Sequence, residues 1–190
     1  MPAKPGERKL QILQTLAAML ETPKGEKITT AALAEKLDVS EAALYRHFAS
    51  KAQMFEGLIE FIEQTLFGLV NKIAADEKNG VRQVEAILSM LLSFAKKNPG
   101  MTRVLIGDAL VNEDERLQAR INQLHDRIET TLKQALRFAM SEKEIPETVD
   151  AAAQANLMLA YVTGRWHQFA KSGFKRDPTE HWPAQWPSLI

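Results

Sequence analysis

The stretch Thr29 to Lys51, reading TTAALAEKLDVSEAALYRHFASK, constrains the fold more than any other part of the chain, because it encodes two short helices around a tight turn. Thr29 and Thr30 suit the start of a first helix. A threonine oxygen accepts an orphan amide hydrogen of the first turn, and Ala31 to Glu35 are good helix formers. Leu33 and Leu37 share one face of it. At Asp38 the chain must turn, and Asp tolerates a left-handed backbone better than most residues other than Gly and Asn. Ser40 is the natural N-cap of the next helix, with Val39 packing inward and Leu44 and Phe48 at i and i+4 pointing back onto the first helix. That burial commits Glu41, Ala42, Tyr45 and Arg46 to the solvent side. One anchored face and one free polar face are what a helix needs to enter a DNA major groove about 12 Å wide.

The order T-x-x-x-L-A-x-x-x-x-V-S-x-x-x-L-Y-R-H-F-x-S-K resembles the DNA-binding domain of TetR-type bacterial regulators, through Tyr45, His47, Phe48 and Lys51 in particular. It departs from the family at Asp38, where Gly is usual. The resemblance implies an all-α, TetR-like fold, with a three-helix helix-turn-helix domain over residues 1–50 and a helical dimerisation and partner-binding domain over 51–190. It also implies that Thr30, Tyr45, His47 and Lys51 grip phosphates while Ser40, Glu41 and Ala42 face base edges of double-stranded DNA. The competing view is that Tyr45 and His47 are surface residues of a plain helical packing unit.

Composition narrows the function. The chain has 190 residues, formal net charge zero and no cysteine, which excludes a disulfide framework and thiolate metal sites and fits a reducing cytoplasm. The N-terminus MPAKPGERKLQ lacks a signal-peptide apolar segment, and Val84 to Ala95 is far short of the roughly 20 apolar residues that span a bilayer. A cytoplasmic protein without a membrane partner is expected. Residues 1–53 carry eight Lys and Arg against six acids, a balance of only +2, so DNA affinity must come from a few placed cations such as Arg8, Lys9, Arg46 and Lys51. One copy would bind weakly, and two copies on a palindrome would bind well.

The remainder reads as helix. A first helix of about Glu7 to Leu20 places Leu10, Leu13, Ala17 and Leu20 on one side, and a fourth, after Ser50, carries Phe55, Leu58, Ile62 and Leu66 with Phe61 set apart. Asn79-Gly80 reads as the end of that region. In a fifth helix, Val81 to Lys97, Val84, Leu88, Leu91 and Ala95 form the core stripe, Met90 and Phe94 lie to its flank, and Asn98-Pro99-Gly100 stops it. Two later helices read as an assembly surface: Leu117, Ile121, Leu124, Ile128, Leu132, Ala135 and Ala139 on one, and Ala153, Leu157, Ala160 and Gly164 on the other. Periodicity leaves an ordinary core and a dimer interface equally open. The resemblance implies a homodimer built on an intermolecular four-helix bundle.

The segments LIEFIEQTL (58–66), NPGMTRVL (98–105), ERLQARINQL (115–124) and FKRDPTEHWPAQWP (174–187) are similar to the nucleoid occlusion branch of the family. That resemblance implies a nucleoid-associated dimer that binds the division protein FtsZ, by its C-terminal tail, and antagonises division-ring assembly. Phe61, Met90 and Phe94 are then candidates for an apolar groove, with Lys97 and Asn98 at its rim; the alternative is that Phe61 and Phe94 are simply core. A second hypothesis is a ligand-responsive repressor with Phe67, Met90, Met101 and Trp166 around a small molecule. Catalysis has little support: the four histidines are scattered, and His125 with Glu129 at i and i+4 starts a metal site that lacks a third ligand. No catalytic residue, metal or cofactor is expected. Trp182 and Trp186, each followed by Pro, are expected to pack back on the dimer helices and buttress them.

Overall fold

The computed structural model describes residues 5–22 and 28–190. Lys4, Lys24, Glu26 and Lys27, which enter the charge balance above, lie outside the described residues. Every described regular element is a helix: α1 (Pro5–Met19), α2 (Thr30–Lys36), α3 (Glu41–Tyr45), α4 (Lys51–Asp76), α5 (Gly80–Lys97), α6 (Pro99–Leu105), α7 (Glu115–Ser141), α8 (Ala151–Lys171) and α9 (Trp182–Gln185), with 3-10 turns at Asp108–Leu110 and Trp186–Ser188.

The first three helices and the start of α4 pack into a small head. On α1 and the turn that follows it the buried row is Ile12, Leu13, Leu16, Ala17 and Leu20. Leu10, expected in that row, is 39 % exposed, because the row centres on Ile12 and Leu16 and leaves Leu10 at its edge. Thr29 caps α2 by accepting from the Ala32 amide at 3.1 Å, and Val39 N–H returns to the Ala34 carbonyl at 3.0 Å. The turn puts Asp38 at φ +53°, the left-handed conformation expected of it. Ser40 then accepts from the Ala43 amide at 3.3 Å. The second helix is shorter than expected: α3 ends at Tyr45, so Arg46 and His47 lie in the turn that follows, and Phe48 reaches the core from that turn, its N–H on the Leu44 carbonyl at 3.1 Å.

Helix α4 links head and body, burying Phe55, Leu58, Ile62 and Leu66 as one stripe. Asn79 starts the next helix instead of ending the last, its side-chain oxygen accepting from Arg82 N at 2.8 Å. Gly80 is required by packing, since a Cβ there would lie 2.6 Å from the Ala139 nitrogen on α7. Helix α5 stops at Asn98, and Pro99 at once opens the short α6. Here the body touches the head: a Cβ on Gly100 would lie 1.9 Å from the Ala17 carbonyl oxygen, and Arg103 donates to the Leu20 carbonyl at 3.1 Å.

The two long helices divide sharply. All seven residues of the α7 stripe are buried, Leu124 at 0 % and Ile128 at 2 % exposure, so these two are core of their own chain and not dimer surface. On α8 the buried row is Ala151, Ala155, Met158, Val162, Trp166 and Phe169, and Ala153, Leu157, Ala160 and Gly164 lie on the opposite face, exposed. Between the two rows runs a flank on which the C-terminal segment lies. Tyr161 donates to Gln185 at 2.7 Å, Arg165 to the Asp177 carbonyl at 2.7 Å, and Gln154 to the Leu189 carbonyl. Trp182 is buried with its ring 6.1 Å from Tyr161 and 5.5 Å from Trp186, as the packing expectation requires. Lys96 pairs with Asp177 at 2.6 Å; partial desolvation pushes that carboxyl up, but the hydrogen bonds from Lys96 and Thr179 outweigh it and hold it at about 2.

Candidate nucleic-acid interface and partner groove

The capped turn brings most of the expected DNA-facing side chains to one surface of the head. Glu41, Ala42, Tyr45 and Arg46 are exposed, Tyr45 by 44 %, while Leu44 beneath them is 1 % exposed. Thr30, at the start of α2, donates to Glu41 at 2.5 Å and accepts from the Tyr45 hydroxyl at 3.4 Å, so a residue from each helix of the motif shares one polar cluster. Ser40 is engaged as a cap, and His47 is half-buried behind Arg46 in the chain.

The expected cations are held differently. Arg8 donates to Gln11 at 2.6 Å, and the Lys9 ammonium sits 5.6 Å from the Phe48 ring. Lys51 is not a free cation: its ammonium lies 2.5 Å from Glu113 and 5.7 Å from the Phe55 ring. Further along, Arg116 lies 3.8 Å from Glu56, Arg120 pairs with Glu63 at 2.7 Å, and Arg127 lies over Phe67 at 4.0 Å. A ladder of charges thus zips α4 to α7 and the loop before it. Sequence reasoning missed Glu113 and this ladder, because Lys51 and Glu113 are 62 positions apart and no local pattern links them.

On the body, Phe61 of α4 and Met90 of α5 are half-buried and Lys97 is exposed. Phe94 is 7 % exposed and belongs to the core, since it shares a face of α5 with the buried Ile87 and Leu91, seven and three residues before it. Asn98 donates to the Phe94 carbonyl at 2.8 Å and closes the end of α5. Of the residues expected around an apolar groove, Phe61 and Met90 thus keep part of their surface open and Lys97 is exposed, while Phe94 is covered.

The residues expected around a small molecule are largely taken up by packing within the chain. Trp166 is fully buried with its indole N–H on the Leu91 carbonyl at 3.1 Å, Met101 is 9 % exposed, and Phe67 is covered by Arg127. A cavity of about 250 Å³ lies elsewhere, between head and body, among Leu20, Ile28, Phe55, Arg103, Asp108 and Glu113. Burial pushes the Asp108 carboxyl up, but bonds from Lys171 and Arg103 outweigh it and hold it below its ordinary value. His125 and Glu129 diverge. His125 turns inward, 6.0 Å from Trp166, where burial lowers its pKa despite a hydrogen bond to the Leu105 backbone; Glu129 accepts from Asn156 of α8 at 3.0 Å. Among the described residues no group of three His, Cys, Asp or Glu could hold a metal ion, and no helix is long and apolar enough to cross a membrane.

A helix-turn-helix head on an all-helical body defines the TetR class of bacterial regulators. The model of bacterial regulatory proteins of the tetR family matches residues 25–58, and that of the tetracyclin repressor-like C-terminal domain, of the SlmA-like type, matches residues 78–190. Among solved structures, the regulator FadR of Bacillus subtilis in complex with stearoyl-CoA has a TM-score of 0.78 at 14% identity, covering 95% of this chain and 97% of its own. A TetR regulator of Haloarcula marismortui reaches 0.80 at 15% identity, covering 97% and 95%. These likenesses show the fold. Much nearer in sequence are the nucleoid occlusion factor SlmA of Alteromonas mediterranea, 56% identical over 100% of this chain and 97% of that protein, and that of Idiomarina loihiensis, 55% identical over 94% and 91%. The chain belongs to the nucleoid occlusion factor SlmA family.

Proposed function

We propose that two copies of the chain associate through the outer row of α8 and bind a palindromic DNA site, and that the DNA-bound dimer binds FtsZ and keeps the division ring from assembling over the nucleoid. The observation that carries this reading is the similarity to nucleoid occlusion factors, 50 to 56% identical from end to end. The protein would then be cytoplasmic and nucleoid-associated. Its DNA sites would mark position on the chromosome, and its work would be binding, with no catalytic step.

In this reading Thr30, Tyr45 and His47 take phosphates, Arg8, Lys9 and Arg46 add charge, Ser40, Glu41 and Ala42 lie against base edges, and Lys51, also expected at a phosphate, is held back from it by its pair with Glu113. The polar cluster of Thr30, Glu41 and Tyr45 supports that assignment, because it presents hydroxyls and a carboxylate on the exposed side of α3. Ala153, Leu157, Ala160 and Gly164 form the dimer contact; a Cβ on Gly164 would meet nothing within 4 Å, so a partner helix can approach closely. Phe61, Met90, Lys97 and Asn98 would take the FtsZ tail, whose apolar anchors and acidic residues suit such a site.

The test is sedimentation of FtsZ polymers in GTP with this protein, with and without a palindromic duplex that the protein itself selects from random sequence. Loss of polymer only when protein and duplex are both present is the expected result. Unaffected polymer beside tight DNA binding would instead favour a ligand-responsive repressor.

A further inference from the structure

The cation expected to grip phosphate at the start of α4 is already paired. Lys51 and Glu113 meet at 2.5 Å with side chains only 22 % and 12 % exposed, so the pair is shielded from salt. The ammonium also lies 5.7 Å from the ring of Phe55, four residues along α4, so the side chain runs towards the body and away from the helix N-terminus. Glu113 is fixed in turn. Its N–H bonds the Leu110 carbonyl at 2.9 Å, Asn112 before it holds a left-handed backbone at φ +65°, and Asp114 after it caps α7 by accepting from Arg116 N at 3.0 Å.

We propose that Glu113 is an internal competitor for DNA phosphate at Lys51, so that the loop before α7 sets how much this lysine adds to DNA binding. The inference rests on the DNA-binding reading above. Its physical content is an exchange. A free lysine that engages a phosphate releases a condensed counterion, and each such contact adds roughly 0.9 to the magnitude of the slope of log K against log salt. A lysine held by its own carboxylate makes no such contact and releases no counterion, and to reach a phosphate it must first give up that pair, which offsets what the contact gains. Lys51 therefore adds little affinity and almost no salt dependence in the native chain. Any movement that draws Glu113 away from α4 converts it into a full phosphate contact in each half-site.

The experiment is fluorescence anisotropy of the full chain on its selected palindromic duplex across a salt series, for the native protein, Glu113→Gln, Lys51→Met and the double variant. Glu113→Gln should bind roughly threefold to tenfold tighter at low salt, with a slope steeper by about 0.9 per half-site. Lys51→Met should change the native slope little and abolish the gain in the double variant. Glu113→Asp, which keeps the charge but retracts it by one methylene, should fall between native and Gln, and serves if Glu113→Gln does not fold. Weaker binding or an unchanged slope in Glu113→Gln would overturn the proposal and make Glu113 a support for Lys51. If the native chain selects no duplex, the DNA-binding reading itself fails, and the competitor role with it.

Discussion

Helices α7 and α8 carry equally regular apolar rows in the sequence, yet the structure covers one and leaves the other bare. The α7 row of Leu117, Ile121, Leu124, Ile128 and Leu132 lies at 2 % exposure or less, while Leu157 in the outer α8 row is 50 % exposed. The difference lies in what packs against each row, since α4, α5 and α8 all lie on α7. The outer row of α8 faces away from that packing, with α7 meeting its helix on one flank and the C-terminal segment on the other. A periodic apolar row states that something must cover it; whether that is the same chain or another depends on what else packs nearby.

The contrast can be broken most forcefully at Leu124. Leu124→Ala should lower stability by about 2–5 kcal/mol in denaturant melts, through lost burial plus a cavity, and a cost below about 1 kcal/mol would contradict the core assignment. In the other direction, Ala160→Arg should leave the subunit fold intact by circular dichroism and raise the dimer dissociation constant at least about a hundredfold, about 2.7 kcal/mol. An unchanged sedimentation coefficient would move the interface off α8.

The seam between the two helices can be probed by pH. Burial against Trp166 depresses the His125 pKa below its ordinary 6.5, so the unfolded chain takes up a proton that the folded chain refuses. Stability is then intact above pH 6.5 and falls as pH drops through that value towards the folded pKa. His125→Leu should flatten the decline, and an identical pH profile would show that His125 does not report on the seam. The smallest effect is expected at the tail: Asp177→Asn removes a partly solvent-exposed pair with Lys96 and should cost less than about 1 kcal/mol after screening. A larger loss would mean that this pair holds the C-terminal segment on α8.

Much of the head was legible because its determinants are local. Thr29, Asp38 and Ser40 each act on partners no more than a few residues away, and each does in the structure what its chemistry demands. Boundaries were less so: the end of α3 at Tyr45 and the role of Asn79 as a start signal depend on which neighbour wins a hydrogen bond. In the candidate sites the sequence pointed to the polar face of α3 and the outer row of α8, but it left open whether Leu124, Ile128 and Phe94 are core or surface, because their burial is decided by helices far away in the chain. Glu113 left no signal at all.

By itself, then, the sequence determined that the chain is all-helical, that its N-terminal part is a capped helix-turn-helix, and that apolar rows recur along its long helices. These follow from side-chain chemistry acting over one or two helical turns. Only the tertiary structure decided which rows face inward, that Phe94 is core, and that Lys51 is paired with Glu113 across 62 positions. Such contacts arise from the packing of whole helices, and no spacing rule within a single segment encodes them.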